Sequence, residues 1–368
     1  MESYKILVKN MKTSLGIIEG YYGRIYSEEE RNSLISFIRN YNYSYYIYAP
    51  KNDSFLRRKW FDNISNDHID FLKRLSEHCK NNSIQFGVGI SPLGITKDLQ
   101  KYLSVLLQKV DFFIKELNAS VIAILFDDIT LYTEDEGDHQ KEIMNKISTF
   151  VKANFKDRNL RLIFCPTYYS FDPILDKCFG RRPEGYFHQI TENLDKDVEI
   201  FWTGNKVLSK EITADDINSI NTLLGRKVTI WDNYPVNDGK FICKHVYTRE
   251  FKNRTSLDGV ALSHAVNPML EAELTKVAIA TLPLCYKNES EEQKQTLRIK
   301  LLNSMFDNKS DSIIKLLDIL NDEGIDAFSD EMKEELKENL TTINTKAKHE
   351  LIDFLSGVYK FDPACLTS

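Results

Sequence analysis

The stretch Val121-Ile122-Ala123-Ile124-Leu125-Phe126-Asp127-Asp128 decides the fold. Its apolar residues occupy both parities of the chain, the mark of a strand buried on both faces, as strands of a parallel sheet are. Two carboxylates follow at its C-terminal tip, where α/β folds place their chemistry. Ideal strand geometry sends neighbours to opposite faces, so adjacent acids serve one pocket only where the strand breaks into a loop. Carboxylates held close together cannot both ionise freely. Their pKa values separate, giving a base and an acid at one pH, the pair that glycoside hydrolysis needs. An acid pair that caps a helix or binds a metal on an ordinary loop would look the same from this stretch alone.

Outward from it, short β-branched or aromatic runs recur at Leu15–Glu19, Ser44–Tyr48, Ile84–Ile90, Leu160–Cys165, Val198–Trp202, Lys227–Trp231 and Gly259–Leu262. Their spacing of roughly 30 to 40 residues is that of successive strand-helix units. Helical periods fill the gaps. Ser27 with Glu30 forms a capping box before Leu34, Ile35, Phe37 and Ile38, and Leu72–Cys79, Leu99–Leu117, Ile143–Phe155 and Ile212–Leu224 read the same way. Strand and helix alternating eight times predict a (β/α)8 TIM barrel over residues 14–285, after an N-terminal extension, 1–13. From 286 to 368 the pattern is helical alone. Ile313, Leu316, Leu317 and Leu320 form one apolar stripe, and Met332, Leu336, Leu340, Ile343, Ala347 and Leu351 a second. This predicts a small helical appendage packed against the barrel.

The chain has 368 residues, 42% hydrophobic and 28% charged, with a formal net charge of -6. No basic block marks a nucleic-acid binder and no long apolar run spans a membrane. Residues Met1 to Thr13 are polar and Lys-dotted, without the apolar core of a secretory leader, which points to the cytoplasm. The six cysteines are scattered with no CxxC spacing, and none of the seven histidines pairs as HxH or HExxH. Free thiols and no resident metal or cofactor are expected.

In a barrel the residues after each strand build the site. The first strand runs into Glu19-Gly20-Tyr21-Tyr22-Gly23, the second into Tyr48-Ala49-Pro50-Lys51-Asn52-Asp53, the fifth into Cys165-Pro166-Thr167-Tyr168-Tyr169 and the sixth into Trp202-Thr203-Gly204. The seventh gives Trp231-Asp232-Asn233-Tyr234-Pro235-Val236-Asn237-Asp238 and the eighth His264-Ala265-Val266-Asn267-Pro268. Each string alone has a plain structural reading as a tight turn, a solvated lysine or a helix cap. Together, aromatic rings and amides at nearly every strand end suit a sugar, whose faces stack and whose hydroxyls bond.

The ordered strings GIIEGYYG, YIYAPKND, GISP, LFDDI, CPTYY, FWTG, WDNYPVND and VNPMLEAE, from Gly16 to about Glu273, resemble the strand-end motifs of glycoside hydrolase family 84. This is the family of protein O-GlcNAcases and bacterial β-N-acetylglucosaminidases. The resemblance implies a retaining exo-β-N-acetylglucosaminidase whose nucleophile is the substrate's own acetamido oxygen, passing through an oxazoline. Asp127 would orient the acetamido group and take its N–H proton; Asp128 would protonate the leaving oxygen and then activate water. The coupled pair should give a bell-shaped pH–rate profile. The backbone at Gly20, with Lys51, Asp238 and Asn267, would hold sugar hydroxyls. Asn233 and Tyr169 would orient the acetamido group, and Tyr22, Cys165 and Trp231 would wall its methyl pocket.

The implied partner is a GlcNAc-bearing protein, or a free or polymeric glycan, with no nucleic acid and no membrane. In some members the region after the barrel helps form a homodimer. A barrel that binds GlcNAc without turning it over is the competing class, though it has no chemical need for the acid pair. The chain departs from the family pattern at three places. Arg24-Ile25 stands where a Pro-Trp pair is frequent, Asn52 where an acid is usual after Lys51, and Tyr168 where Glu is usual. These departures bear on the leaving-group side of the cleft.

Overall fold

Every residue of Val121–Leu125 is buried, and the strand pairs in parallel with Gln85–Ile90 on one side and Arg161–Cys165 on the other. In the computed structural model, which describes residues 11–131, 133–307, 310–341 and 343–367, this pairing continues around a full circle. Ser14–Ile18, Tyr43–Tyr48, Gln85–Ile90, Val121–Leu125, Arg161–Cys165, Val198–Trp202, Thr229–Asp232 and Ser263–Val266 close on themselves as an all-parallel barrel. The first and last strands meet in register, Ile17 opposite Val266. The helices Glu28–Ile38, Asn66–Asn81, Leu99–Lys115, Glu136–Asn154, Ala214–Leu224 and Ala272–Ile279, with a shorter pair at Ile174–Phe179 and Tyr186–Thr191, follow their strands. The fold is the expected (β/α)8 barrel. Most of the N-terminal extension, residues 1–10, lies outside the described residues.

The lower barrel is filled by a saturated polar layer. Arg161 donates from Nε and Nη2 to the two oxygens of Glu199, each at 2.7 Å, and from Nη2 to Ser263 at 2.8 Å, while its guanidinium lies 4.5 Å from the Tyr45 ring centre. Tyr45 fits because residue 16 is glycine; a Cβ there would come within 2.1 Å of the ring. Such a layer closes the bottom and leaves the opposite mouth for ligand.

Two expectations are corrected. The last strand is Ser263–Val266, not Gly259–Leu262. Gly259 has φ +75°, a left-handed turn that ends any extended run, and Leu262 is exposed. The strand instead carries Ser263 and His264, whose polar groups are met by Thr229 and Asp232. Likewise Ile212–Thr213 is no part of the following helix: it pairs in parallel with Arg254–Thr255, and Thr213 caps a helix beginning at Ala214. The Ser27–Glu30 capping box is present as expected.

After the barrel come Leu282–Tyr286, Glu291–Met305, Ser310–Asp322, Asp330–Leu340 and Lys346–Leu355. The second apolar stripe is therefore two helices rather than one, and Met332 at its start is exposed. The last helix docks by electrostatics as well as packing. Glu350 accepts from the backbone N–H groups of Glu273 and Leu274 at 2.8–2.9 Å, capping the helix that follows the eighth barrel strand. None of the described cysteines is in a disulfide, and no described helix is long and apolar enough to cross a membrane.

Candidate active site

The adjacent acids share one pocket because the chain turns sharply between them. Asp128 has φ +59°, the left-handed conformation that Asp tolerates at modest cost, so its side chain swings to the same side as that of Asp127. Arg57 Nη2 donates to the Asp128 carbonyl oxygen at 3.2 Å and braces the bend. The Phe126 N–H donates to the Cys165 carbonyl at 2.8 Å, continuing the sheet up to the first acid.

The pocket holds about 480 Å³ of open space at the C-terminal mouth of the barrel. Among its walls are Gly20, Tyr22, Asp127, Asp128, Cys165, Tyr169, Trp231, Asn233, Asp238 and Asn267, gathered from the ends of five strands. Lys51 does not reach the wall itself. Its ammonium is buried in an ion pair with Asp127 and lies 5.5 Å from the centre of the Trp231 ring.

The two acids are partnered differently. Asp127 gives Oδ2 to Lys51, while its Oδ1 is buried and accepts no hydrogen bond. Asp128 accepts from the Tyr22 phenol at 2.8 Å and from the Tyr169 phenol at 3.1 Å. Burial, and then the charge of Asp127, raises the pKa of Asp128 above the ordinary aspartate value, against the opposing charges of Lys51 and Arg57. Burial first, with the Asp128 charge behind it, pushes both phenols well above their usual range and keeps them protonated donors. Burial also pushes up the Cys165 thiol, which is left as a small neutral wall. One acid thus has an unused acceptor oxygen and the other is biased to carry a proton. This arrangement can receive an N–H and deliver an H⁺ within a single cavity.

Amides line the opposite side. Asn233 Oδ1 accepts from Trp231 Nε1 at 2.9 Å and from Asn267 Nδ2 at 3.0 Å, and Asn233 Nδ2 donates to the Val207 carbonyl at 2.9 Å. Asn267 Oδ1 accepts from the Gly20 N–H at 3.1 Å. Asp238 accepts from the Tyr22 N–H at 2.8 Å, and burial lifts its pKa to about 6. Residue 20 must be glycine, since a Cβ there would come within 2.1 Å of the Trp231 indole. Tyr22, expected as a wall, also places its hydroxyl on the proton-carrying acid.

Thr203 and Val236 lie in the strand-end strings but were given no role in the site. Sequence reading missed Val207 and Leu208 after the sixth strand and Ile242 after the seventh. The strand-end rule could have found them, had it been carried further into the loops and to apolar residues. Arg57 sits six residues past Lys51 with no motif to flag it. Cys365 and Thr367 line the pocket from the far end of the described chain, and no local pattern announces them. Among the described residues there is no group of three or more His, Cys, Asp or Glu that could hold a metal ion.

The model of one family, described as beta-N-acetylglucosaminidase, matches residues 15–318. The chain is 30% identical over 320 residues to a protein O-GlcNAcase of Mus musculus, and 30% identical over 317 residues to that of Rattus norvegicus. Each alignment covers 78% of this chain and 33% of the relative, so the chain spans about a third of the length of either. Among solved structures, a variant O-GlcNAc hydrolase of Thermobaculum terrenum superposes with a TM-score of 0.74 at 23% identity, covering 93% of this chain and 80% of that one. At that identity the likeness bears on the fold alone.

Proposed function

The chain belongs to the beta-N-acetylglucosaminidase family of glycoside hydrolases, and on that premise we propose that it is a retaining exo-enzyme that removes O-linked GlcNAc from Ser or Thr of proteins by substrate-assisted catalysis. The observation that carries this reading is the unpartnered, buried Oδ1 of Asp127 next to its Lys51-paired Oδ2. A buried carboxylate oxygen without a donor is costly unless a ligand supplies one, and an acetamido N–H is such a donor.

The steps balance as follows. The acetamido carbonyl oxygen attacks the anomeric carbon as the bond to the leaving oxygen breaks, and Asp128 gives its proton to that oxygen. Asp127 holds the acetamido N–H and takes its proton, yielding a neutral oxazoline. Water then attacks the anomeric carbon as its bond to the oxazoline oxygen breaks; Asp128 accepts the water proton and Asp127 returns its own to the acetamido nitrogen. Two successive inversions, the first by the acetamido oxygen and the second by water on the opposite face, retain configuration. Asn233, with one N–H not engaged by Val207, orients the amide, and Tyr169 follows the oxazoline. Asp238, Asn267 and the backbone at Gly20 hold hydroxyls, with Lys51 fixing Asp127 from behind. The similarity to the protein O-GlcNAcases of mouse and rat supports the protein substrate.

The test is hydrolysis of an aryl β-N-acetylglucosaminide beside the matching aryl β-glucoside, by the native chain, Asp127→Asn and Asp128→Asn. Cleavage of the N-acetyl substrate alone, lost in both variants, is expected. Equal cleavage of both sugars would remove the acetamido group as nucleophile. Binding of GlcNAc without turnover would favour the non-catalytic barrel.

A further inference from the structure

Part of the pocket wall comes from the far end of the described chain. Cys365 and Thr367 are pocket walls although they lie roughly 240 residues beyond Asp127 and Asp128 and belong to no helix or strand. Thr367 faces the same space as Tyr169, whose phenol donates to Asp128. Just before it, the Leu366 carbonyl accepts from the Cys178 thiol at 3.1 Å, while the Leu366 side chain stays 53% exposed. A short peptide is held in a cleft in this way, its main chain engaged, one residue turned to the pocket and the neighbouring side chain free.

The segment is tied down a few residues earlier. Asp362 caps its own turn, accepting the Ala364 N–H at 2.9 Å through one oxygen, and its other oxygen accepts from Asn52 Nδ2 at 2.9 Å. The same Asn52 amide donates to the Gly23 carbonyl at 2.9 Å. The Arg24 guanidinium sits 5.6 Å from the centre of the Tyr359 ring. Arg24 and Asn52 are two of the three places where the sequence departs from the family pattern. An acid at 52 would set a second carboxylate against Asp362 and could donate nothing to it, so the departure and the anchor belong together.

We propose that residues 362–367 form a strap that fills the leaving-group side of the pocket as an internal mimic of an acceptor peptide, with Thr367 in the role of the substrate's Ser or Thr, and that a glycosylated polypeptide enters by displacing it. The inference rests on the hydrolase reading above and names what lies on the side of the cleft that reading leaves open. The strap competes for the site without contacting either acid, whose side-chain hydrogen-bond partners are Lys51, Tyr22 and Tyr169. Its removal therefore acts on KM and leaves kcat.

The experiment compares the full chain, Asn52→Asp, and a chain ended after Lys360, using an O-GlcNAc-serine peptide as substrate and, separately, as a titrated ligand. With two or three modest hydrogen bonds to break, KM and Kd for the glycopeptide should fall about 5–10-fold in both variants, with kcat within about twofold. A synthetic peptide spanning residues 361–368 should inhibit the shortened chain competitively. Unchanged or raised KM and Kd in Asn52→Asp overturns the proposal even if the shortened chain fails to fold, because that variant keeps every residue of the strap. If no form turns over the glycopeptide, yet both variants bind it more tightly than the full chain, the hydrolase reading fails and the strap stands.

Discussion

Two aspartates in this barrel, Asp128 after the fourth strand and Asp232 at the end of the seventh, have taken opposite courses. Asp232 is fully sheltered and Asp128 half-buried at the pocket, and desolvation alone would raise the pKa of each. Asp232 is saturated. Its oxygens accept from Arg254 Nε and Nη2 at 2.8 Å each, from His264 Nε2 at 3.1 Å and from the Tyr234 N–H at 3.1 Å. Against burial, the Arg254 charge and then His264 hold it well below the usual carboxylate range. For Asp128, burial and then the neighbouring Asp127 charge outweigh Lys51, Arg57 and the phenol donors, and its pKa goes up. A carboxylate locked by a guanidinium is structure. One desolvated beside a like charge keeps a proton to give.

The comparison can be broken most directly at Asp128. Asp128→Asn, which suits the left-handed backbone, should lower kcat/KM about 10²–10⁴-fold for an alkyl glycoside and less for an activated aryl leaving group, while the melting temperature stays near that of the native chain. Asp232→Ala should do the reverse. Stranding the buried Arg254 should cost about 3–5 kcal/mol in urea unfolding, with turnover persisting in whatever fraction stays folded. A large loss of activity with full stability in Asp232→Ala would erase the distinction.

The pH dependence sharpens it. Since the acid form of Asp128 works, kcat/KM should fall as pH rises through a pKa above the ordinary aspartate range, and this alkaline limb should be absent from the residual activity of Asp128→Asn. The smallest effect concerns Asp238. Its folded pKa of about 6 exceeds the ordinary 3.8, so the native state holds this proton longer than the unfolded chain does. Stability should therefore decline as pH rises between those values and level off above them. In Asp238→Asn, thermal melts across that window should show a shallower decline than the native chain.

How much of this was legible in the sequence follows from how local each cause is. The buried strands announced themselves, because a strand covered on both faces has to be apolar on both parities. The eighth did not: Val260, Ala261 and Leu262 look more strand-like than Ser263 and His264, whose partners Thr229 and Asp232 come from another strand. The acid pair and the aromatic and amide strand ends could be read from type and position. Their states could not. Asp127 and Asp128 are equivalent letters, told apart only by Lys51 on one and Tyr22 and Tyr169 on the other. Least legible were Cys365 and Thr367, brought to the pocket by anchors at Arg24 and Asn52 that the sequence marks only as departures from a pattern.

The left-handed bend at Asp128 has one more consequence. Because a single peptide unit carries both acids, their Cα atoms are held about 3.8 Å apart by covalent geometry rather than by the packing of separate strands. When the barrel breathes, the anchor for the amide and the proton donor share one backbone unit. Motion between strands shifts both relative to the sugar and leaves that Cα separation unchanged.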